Sequence, residues 1–201
     1  MENKIRLDLY EQTEYSRGRN GIIVLLWWLI QGTVFRFSLH QMYGWRRWLL
    51  TRFGAEIGHG VKIRSSAKFT YPWKVTIGDH SWIGDNAEFY SLDEIAVGRH
   101  CVISQNTYLC TGSHRLNDPS FGLITKPIVI KDGAWVASDV FVYPGVIINE
   151  MAVAGARSTV IKNIPANEIH VGYPAVFIKR RFPQQIGSTI PFERLESEMM
   201  R

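Results

Sequence analysis

The chain has 201 residues, 46% of them apolar and 20% charged, and a formal net charge of +5. That balance excludes a disordered chain and suits one ordinary domain with terminal additions; the mild basic excess fits an anionic small molecule or a membrane surface and does not demand nucleic acid. The two cysteines, Cys101 and Cys110, belong to no CxxC pair, which argues against a disulfide framework and for reduced thiols in a cytoplasmic protein.

Residues 1–56 carry no repeat. Their run IIVLLWWLIQGTVFRFSLHQMYGWRRWLLTRFG predicts one or two helices rich in Trp and Arg. The apolar stretch Gly21 to Ile30 follows a polar lead and lacks a small-residue cleavage site, so it is not read as a signal peptide. It breaks at Gln31 and Gly32, short of the ~20 apolar residues of a membrane span. Two compatible readings stand. One is a helical cap on the open end of the domain that follows, whose backbone groups would otherwise template aggregation. The other is peripheral membrane contact through residues 20–50, with Trp27, Trp28, Trp45 and Trp48 at headgroup level beside Arg46 and Arg47, at the inner membrane surface.

From Ile57 the chain counts in sixes. Large apolar residues stand at Ile57, Ile63 and Phe69, at Ile77, Ile83 and Phe89, and at Val97, Ile103 and Leu109. They resume at Ile130, Val136, Val142, Ile148 and Val160, with Ala154 the one small member. Four residues after most of them comes a second small or apolar residue, such as Val61, Ser81, Cys101, Ala134 and Ala152. A period of six wanders around a helix, and period two is not sustained. Three such steps make one turn of a triangular coil, and stacked turns bury a continuous aliphatic column. The steps Phe69 to Ile77 and Phe89 to Val97 are eight long, so one corner carries an insertion in two successive turns. Five coils are expected: 57–76, 77–96, 97–129, 130–147 and 148–165. The domain organisation is then 1–56 as cap or membrane-interface segment, 57–165 as coil, and 166–201 as C-terminal extension. Within the extension, ANEIHVGYPAVFIKRR predicts a short strand or helix with a basic end, and the tail from Phe182 predicts irregular structure with a short helix.

The stretch CTGSHRLNDPSFGLITKP interrupts the count, and the excursion spans 113–127. His114 stands at its mouth. A side chain with a pKa near ~6.5 can take a proton from a hydroxyl at neutral pH, and loops on rigid scaffolds carry function. Cys110 and Cys101 read as structural.

This pattern resembles the hexapeptide-repeat acyltransferases, which implies a mainly β fold, a left-handed parallel β-helix. CTGSH matches the place of the family's catalytic histidine. The stretches AWVASDVFVYPGV and AVAGARSTVIKNIPANEIHVGYPAV are similar to its C-terminal signature. The N-terminal LLWW and YGWRRWLL, with CTGSH and PIVI, look most like the colanic-acid-type polysaccharide O-acetyltransferases. The resemblance implies acetyl-CoA as co-substrate, no metal, direct transfer to a sugar hydroxyl with His114 as general base, and a homotrimer with sites between subunits. It also implies a cofactor groove of Trp135, Ala137, Ser138, Gly155 and Ala156, with Lys162, Lys179 and Arg180 for the phosphates and Arg181 also available. Val176 in GYPAV departs from the family's usual basic residue. Tyr90, Ser91, Asp93 and Arg115 are the acceptor-side candidates, in a corner where relatives often carry Asn.

Alternatives remain open: a small free acceptor such as a galactoside, an antibiotic or an amino acid, or a non-catalytic scaffold. His59, His80 and His100 recur at corners but lack the paired spacing of a zinc site. Residues 1–56 are too few for the nucleotide-binding domain of a sugar nucleotidyltransferase.

Overall fold

The computed structural model describes residues 4–10 and 15–183. The first turn of the coil is built from Glu56–Ile57, Lys62–Ile63 and Lys68–Phe69, one short strand per side. Each pairs in parallel with its counterpart one turn on: Ile57 lies opposite Ile77, Ile63 opposite Ile83 and Phe69 opposite Phe89. The same pairing continues down to Ile147–Ile148, Val153–Ala154 and Thr159–Val160, giving three parallel sheets around a triangular core.

The column predicted in sixes is that core. Ile63, Phe69, Ile77, Ile83, Phe89, Ile103, Leu109, Val136, Val142 and Ile148 are buried, and so are the small partners Val61, Ser81, Cys101, Ala134 and Ala152. Ile57 is half-buried beneath the cap. Each buried Val, Leu or Ile contributes about 1.5–3 kcal/mol. Small residues stand where the corners leave little room. A Cβ on Gly78 would lie 2.7 Å from the Gly98 carbonyl carbon of the next turn. Left-handed corner residues stack in register, and Asn and Asp tolerate that conformation best. Thus Asn86 donates to Asn106, and Asn106 to Asp139, down one edge of the prism.

Two sequence expectations are corrected. The coil has about six turns rather than five, because the chain does not leave it at Pro165. Ile164 bridges to Ile148, and Glu168–Gly172 extends the second sheet beside Val153–Ala154 before Ala175–Arg180 folds back antiparallel. Trp27 is not a headgroup residue. It is fully buried, and its indole N–H donates to the Phe69 carbonyl at 2.7 Å.

That bond belongs to a helical lid. Helix α1 (Gly21–Ile30) starts at Asn20, whose side chain accepts from the Ile23 N–H, and runs into a wider π turn at Gln31–Phe35. Helix α2 is Tyr43–Arg52. Gln31 accepts from the Phe69 N–H at 2.6 Å. Arg46, also fully buried, donates to the Ile63, Leu39 and His40 carbonyls and to Ser38. Arg47 donates to the Val61 carbonyl at 2.8 Å. Trp27, Gln31, Arg46 and Arg47 thereby pair groups on the first turn's open edge. The expected helix in the tail lies outside the described residues.

Candidate active site

Call side one the sheet that contains Ile57, side two that of Ile63 and side three that of Phe69. The inserted residues all fall at the corner between sides three and one. Pro72–Lys74 forms a short 3-10 turn there, Ser91 to Glu94 occupies it in the next turn, and the long excursion fills it in the third. The excursion is an antiparallel hairpin of Gly112–His114 against Leu123–Thr125. Its root is held by Thr111, which is buried, donates to the Tyr90 carbonyl at 2.6 Å and accepts from the Asp93 N–H at 2.9 Å.

His114 therefore sits on a hairpin strand, half-buried and opposite Leu123. Its Nδ1 lies 2.8 Å from the Phe121 carbonyl oxygen. A carbonyl only accepts, so Nδ1 carries the proton and Nε2 is left with its lone pair. The Phe121 ring stacks on the imidazole at 4.2 Å and 9°. Phe121 holds φ of +51°, unusual for a bulky residue and a place where strain is stored at a site. Tyr10 stands 6.3 Å away, on an N-terminal segment whose Arg6 N–H donates to the Pro119 carbonyl. Neither Phe121 nor Tyr10 carries a signal in the sequence: the hairpin's return brings Phe121 to the imidazole, and the packing of the N-terminal segment on the excursion brings Tyr10.

The acceptor-side candidates share this corner but differ in what they can offer. Tyr90 is half-buried, next to Gly112, and burial followed by the nearby Cys110, Tyr71 and Tyr10 raises its phenol. Asp93 is half-buried, and its carboxylate accepts the Glu94 N–H at 2.8 Å. The Arg115 N–H donates to the Gly122 carbonyl, bracing the hairpin. Ser91 is fully buried. Its hydroxyl accepts from the Tyr71 N–H and donates to the Tyr71 carbonyl, so it is spent within the coil.

A second feature lies at the corner between sides two and three. A groove of about 520 Å³ runs past Ser104, Trp135, Ala137, Ser138, Gly155, Ala156 and Arg181. Five of the expected cofactor residues thus meet in one place. The Trp135 indole donates to Ser104 across it at 3.0 Å. Gly155 is required by packing, because an added Cβ would sit 2.1 Å from Val171. The N–H groups of Ala137 and Gly155 are committed to the coil, donating to Ala154 and His170. Arg181 is anchored at the wall by its bond to the Gly133 carbonyl at 2.7 Å. Lys179 is in register with Ile169 at the groove's edge, and Arg180 with Glu168. Lys162 is not in the groove: it follows Val160 at the corner that also bears His114. Small side chains, a slot and a fixed cation suit a long thin anionic ligand.

Cys101 is fully buried, its thiol against the Lys131 carbonyl, and burial pushes its pKa up to about 11. That suits a packing residue rather than a nucleophile. His59, His80 and His100 line another corner, His59 edge-on to His80 and His80 stacked on His100, and among the described residues no group of three His, Cys, Asp or Glu is placed to hold a metal.

Over 165 residues the chain is 52% identical to the Escherichia coli K12 protein provisionally named colanic acid biosynthesis acetyltransferase WcaF, covering 82% of this chain and 91% of that one. It belongs to the hexapeptide-repeat acetyltransferases. The prism is accordingly the left-handed β-helix of that family, as the resemblance implied, and the chain is an acetyltransferase. No family model matches the chain. Among solved structures, the hexapeptide-repeat acetyltransferase VCA0836 of Vibrio cholerae superposes with a TM-score of 0.74 at 25% identity, covering 81% of this chain and 92% of that one. Its structure complexed with acetyl-CoA gives 0.75 at 23%, covering 88% and 97%. A galactoside acetyltransferase in complex with coenzyme A gives 0.74 at 24%, covering 80% and 82%.

Proposed function

We propose that this acetyltransferase moves the acetyl group of acetyl-CoA to a sugar hydroxyl of a cell-surface polysaccharide precursor, directly, with His114 as general base. The observation that carries this reading is the 2.8 Å contact from His114 Nδ1 to the Phe121 carbonyl, which leaves Nε2 as the acceptor. The acceptor class follows the colanic acid relative. A protonated sugar hydroxyl is a poor nucleophile. His114 Nε2 takes its proton as the oxygen attacks the thioester carbonyl; the new C–O bond forms, the C–S bond breaks, and the proton passes on to the departing sulfur. The Phe121 carbonyl faces the Nδ1–H throughout, which favours the imidazolium formed in between. Tyr90, Asp93 and Arg115 border the acceptor, while Ser91 holds the backbone behind them.

The groove that suits acetyl-CoA and the corner that bears His114 are separated by the whole of side three. One chain cannot bring them together. In a homotrimer, the corner of His114 and Lys162 on one prism meets the groove of the next, which supplies Lys162 as a phosphate partner in trans. Acetyl transfer from acetyl-CoA to a panel of sugars and glycan precursors tests the reading. His114→Ala should lower kcat by about 10²–10⁴-fold with the oligomer intact. Full-rate transfer by that variant removes the base assignment, and a stable monomer on analytical ultracentrifugation removes the shared site.

A further inference from the structure

The helical lid has two faces, and only one is used by the coil. Val24 and Trp27 of α1 are buried beneath it, while Ile22 is 77% exposed, with Leu25 and Leu29 also exposed on the outer side. Val34 within the π turn, and Phe37 and Leu39 after it, are exposed as well, Phe37 at 82%. A mostly apolar groove of about 490 Å³ is lined there by Val34, Phe37, Leu39, Met42 and Trp45, with Thr33 and Ser38. A helix facing water on its outer side carries polar residues there, and α1 has none from Gly21 to Ile30. A continuous patch of this kind marks a contact surface.

Charge decides what covers it. From Tyr15 to Ala55 the chain contains Arg17, Arg19, Arg36, Arg46, Arg47 and Arg52 and no Asp or Glu. Arg17, Arg19, Arg36 and Arg52 flank these elements along the chain and are exposed, whereas Arg46 is buried in the lid. A second copy would present the same cationic rim and be repelled. An anionic lipid surface complements it, and a fluid acyl boundary takes an apolar patch with no fixed polar partners. The helical run from Gly21 through Phe35 rises ~1.5 Å per residue, less in total than the ~30 Å hydrocarbon core, and no helix among the described residues is long and apolar enough to cross a membrane.

We infer that the outer face of α1 and the following turn docks this enzyme on an anionic bilayer surface, apolar face inserted and arginine rim at the phosphates. The lid thus caps the coil with one face and carries the enzyme to lipid with the other.

The test is vesicle flotation of the purified full chain. Vesicles of phosphatidylcholine with about one-third phosphatidylglycerol should carry it up, with binding falling steeply as salt rises. Pure phosphatidylcholine should bind more than about tenfold less. The triple substitution Leu25→Glu, Leu29→Glu, Phe37→Glu should abolish flotation while leaving circular dichroism and transfer to a soluble sugar unchanged. Arg17→Glu with Arg36→Glu should weaken flotation and flatten its salt dependence. Binding to neither vesicle, equal binding to both, or undiminished binding by the triple variant overturns the inference. So does a smaller oligomer for the triple variant on sedimentation, which gives the face to a second copy.

Discussion

The carbonyl of Phe121 accepts the Nδ1 proton of His114 at 2.8 Å, while the ring of the same residue lies flat on the imidazole at 4.2 Å. One residue therefore sets both the tautomer and the tilt of the histidine, and it does so from a left-handed backbone position. Phe121→Gly removes the ring and keeps the carbonyl, and glycine accepts the +51° φ without strain. The expected result is a fold as stable as the parent, with kcat lowered about tenfold for loss of a stacking contact worth about 0.5–1.5 kcal/mol. The KM for acetyl-CoA should not change. Steady-state kinetics measures this; an unchanged kcat would make the stacking incidental.

Arg46 is the most consequential polar residue of the lid. Burial, the largest influence, lowers its pKa, yet its bonds to three carbonyls and a hydroxyl are satisfied. Arg46→Leu leaves buried carbonyls at the coil's edge without a donor and should cost roughly 3 kcal/mol or more. Arg46→Lys should not restore this, because an ammonium lacks the planar fork that reaches Ile63, Leu39 and His40 together. Denaturant unfolding of the two variants is the measurement, and a lysine variant as stable as the parent would contradict it.

Gly155 and Val171 should behave as a pair. Gly155→Ala drives a methyl to within 2.1 Å of Val171, so the strand Glu168–Gly172 must move away from the groove wall. Overpacking of this kind costs about 1–3 kcal/mol, and the KM for acetyl-CoA should rise. Adding Val171→Ala should recover most of both losses. Additive effects in the double-mutant cycle would show that the two residues are not in conflict.

Cys101 sets an alkaline limit. Its pKa is raised by burial to about 11, from 9.0 for the free thiol. Below pH 9 the thiol is protonated in both folded and unfolded chains, so its contribution is fully present. As pH rises from 9 towards 11 the unfolded thiol ionises first, the unfolded state binds fewer protons, and stability falls by on the order of 2 kcal/mol. Cys101→Ala should remove this part of the decline, and alanine fits because the stacked positions below are Ala134 and Ala152. Unfolding free energies at pH 7, 9 and 10.5 provide the check; equal slopes in parent and variant would exclude the thiol as the cause.

The sequence by itself determined the prism. Because each turn buries one aliphatic per side, Ile63, Ile83, Ile103 and Val136 had to recur at matched positions, and a six-residue period admits no helix. It also located the excursion, at the corner where two earlier turns carry an insertion, and offered His114 at its mouth as the candidate base. What it could not contain was anything set by contacts between distant residues. The sixth turn depends on Ile164 finding Ile148 after the six-residue count has ended at Val160. The inward Trp27 and the buried Arg46 depend on which face of a uniformly apolar lead meets the coil edge, and hydropathy is blind to that. Ser91 read as an available hydroxyl until Tyr71, one turn away, claimed it. The tautomer of His114 was decided by a carbonyl seven residues on, delivered by a hairpin whose register only tertiary packing could select.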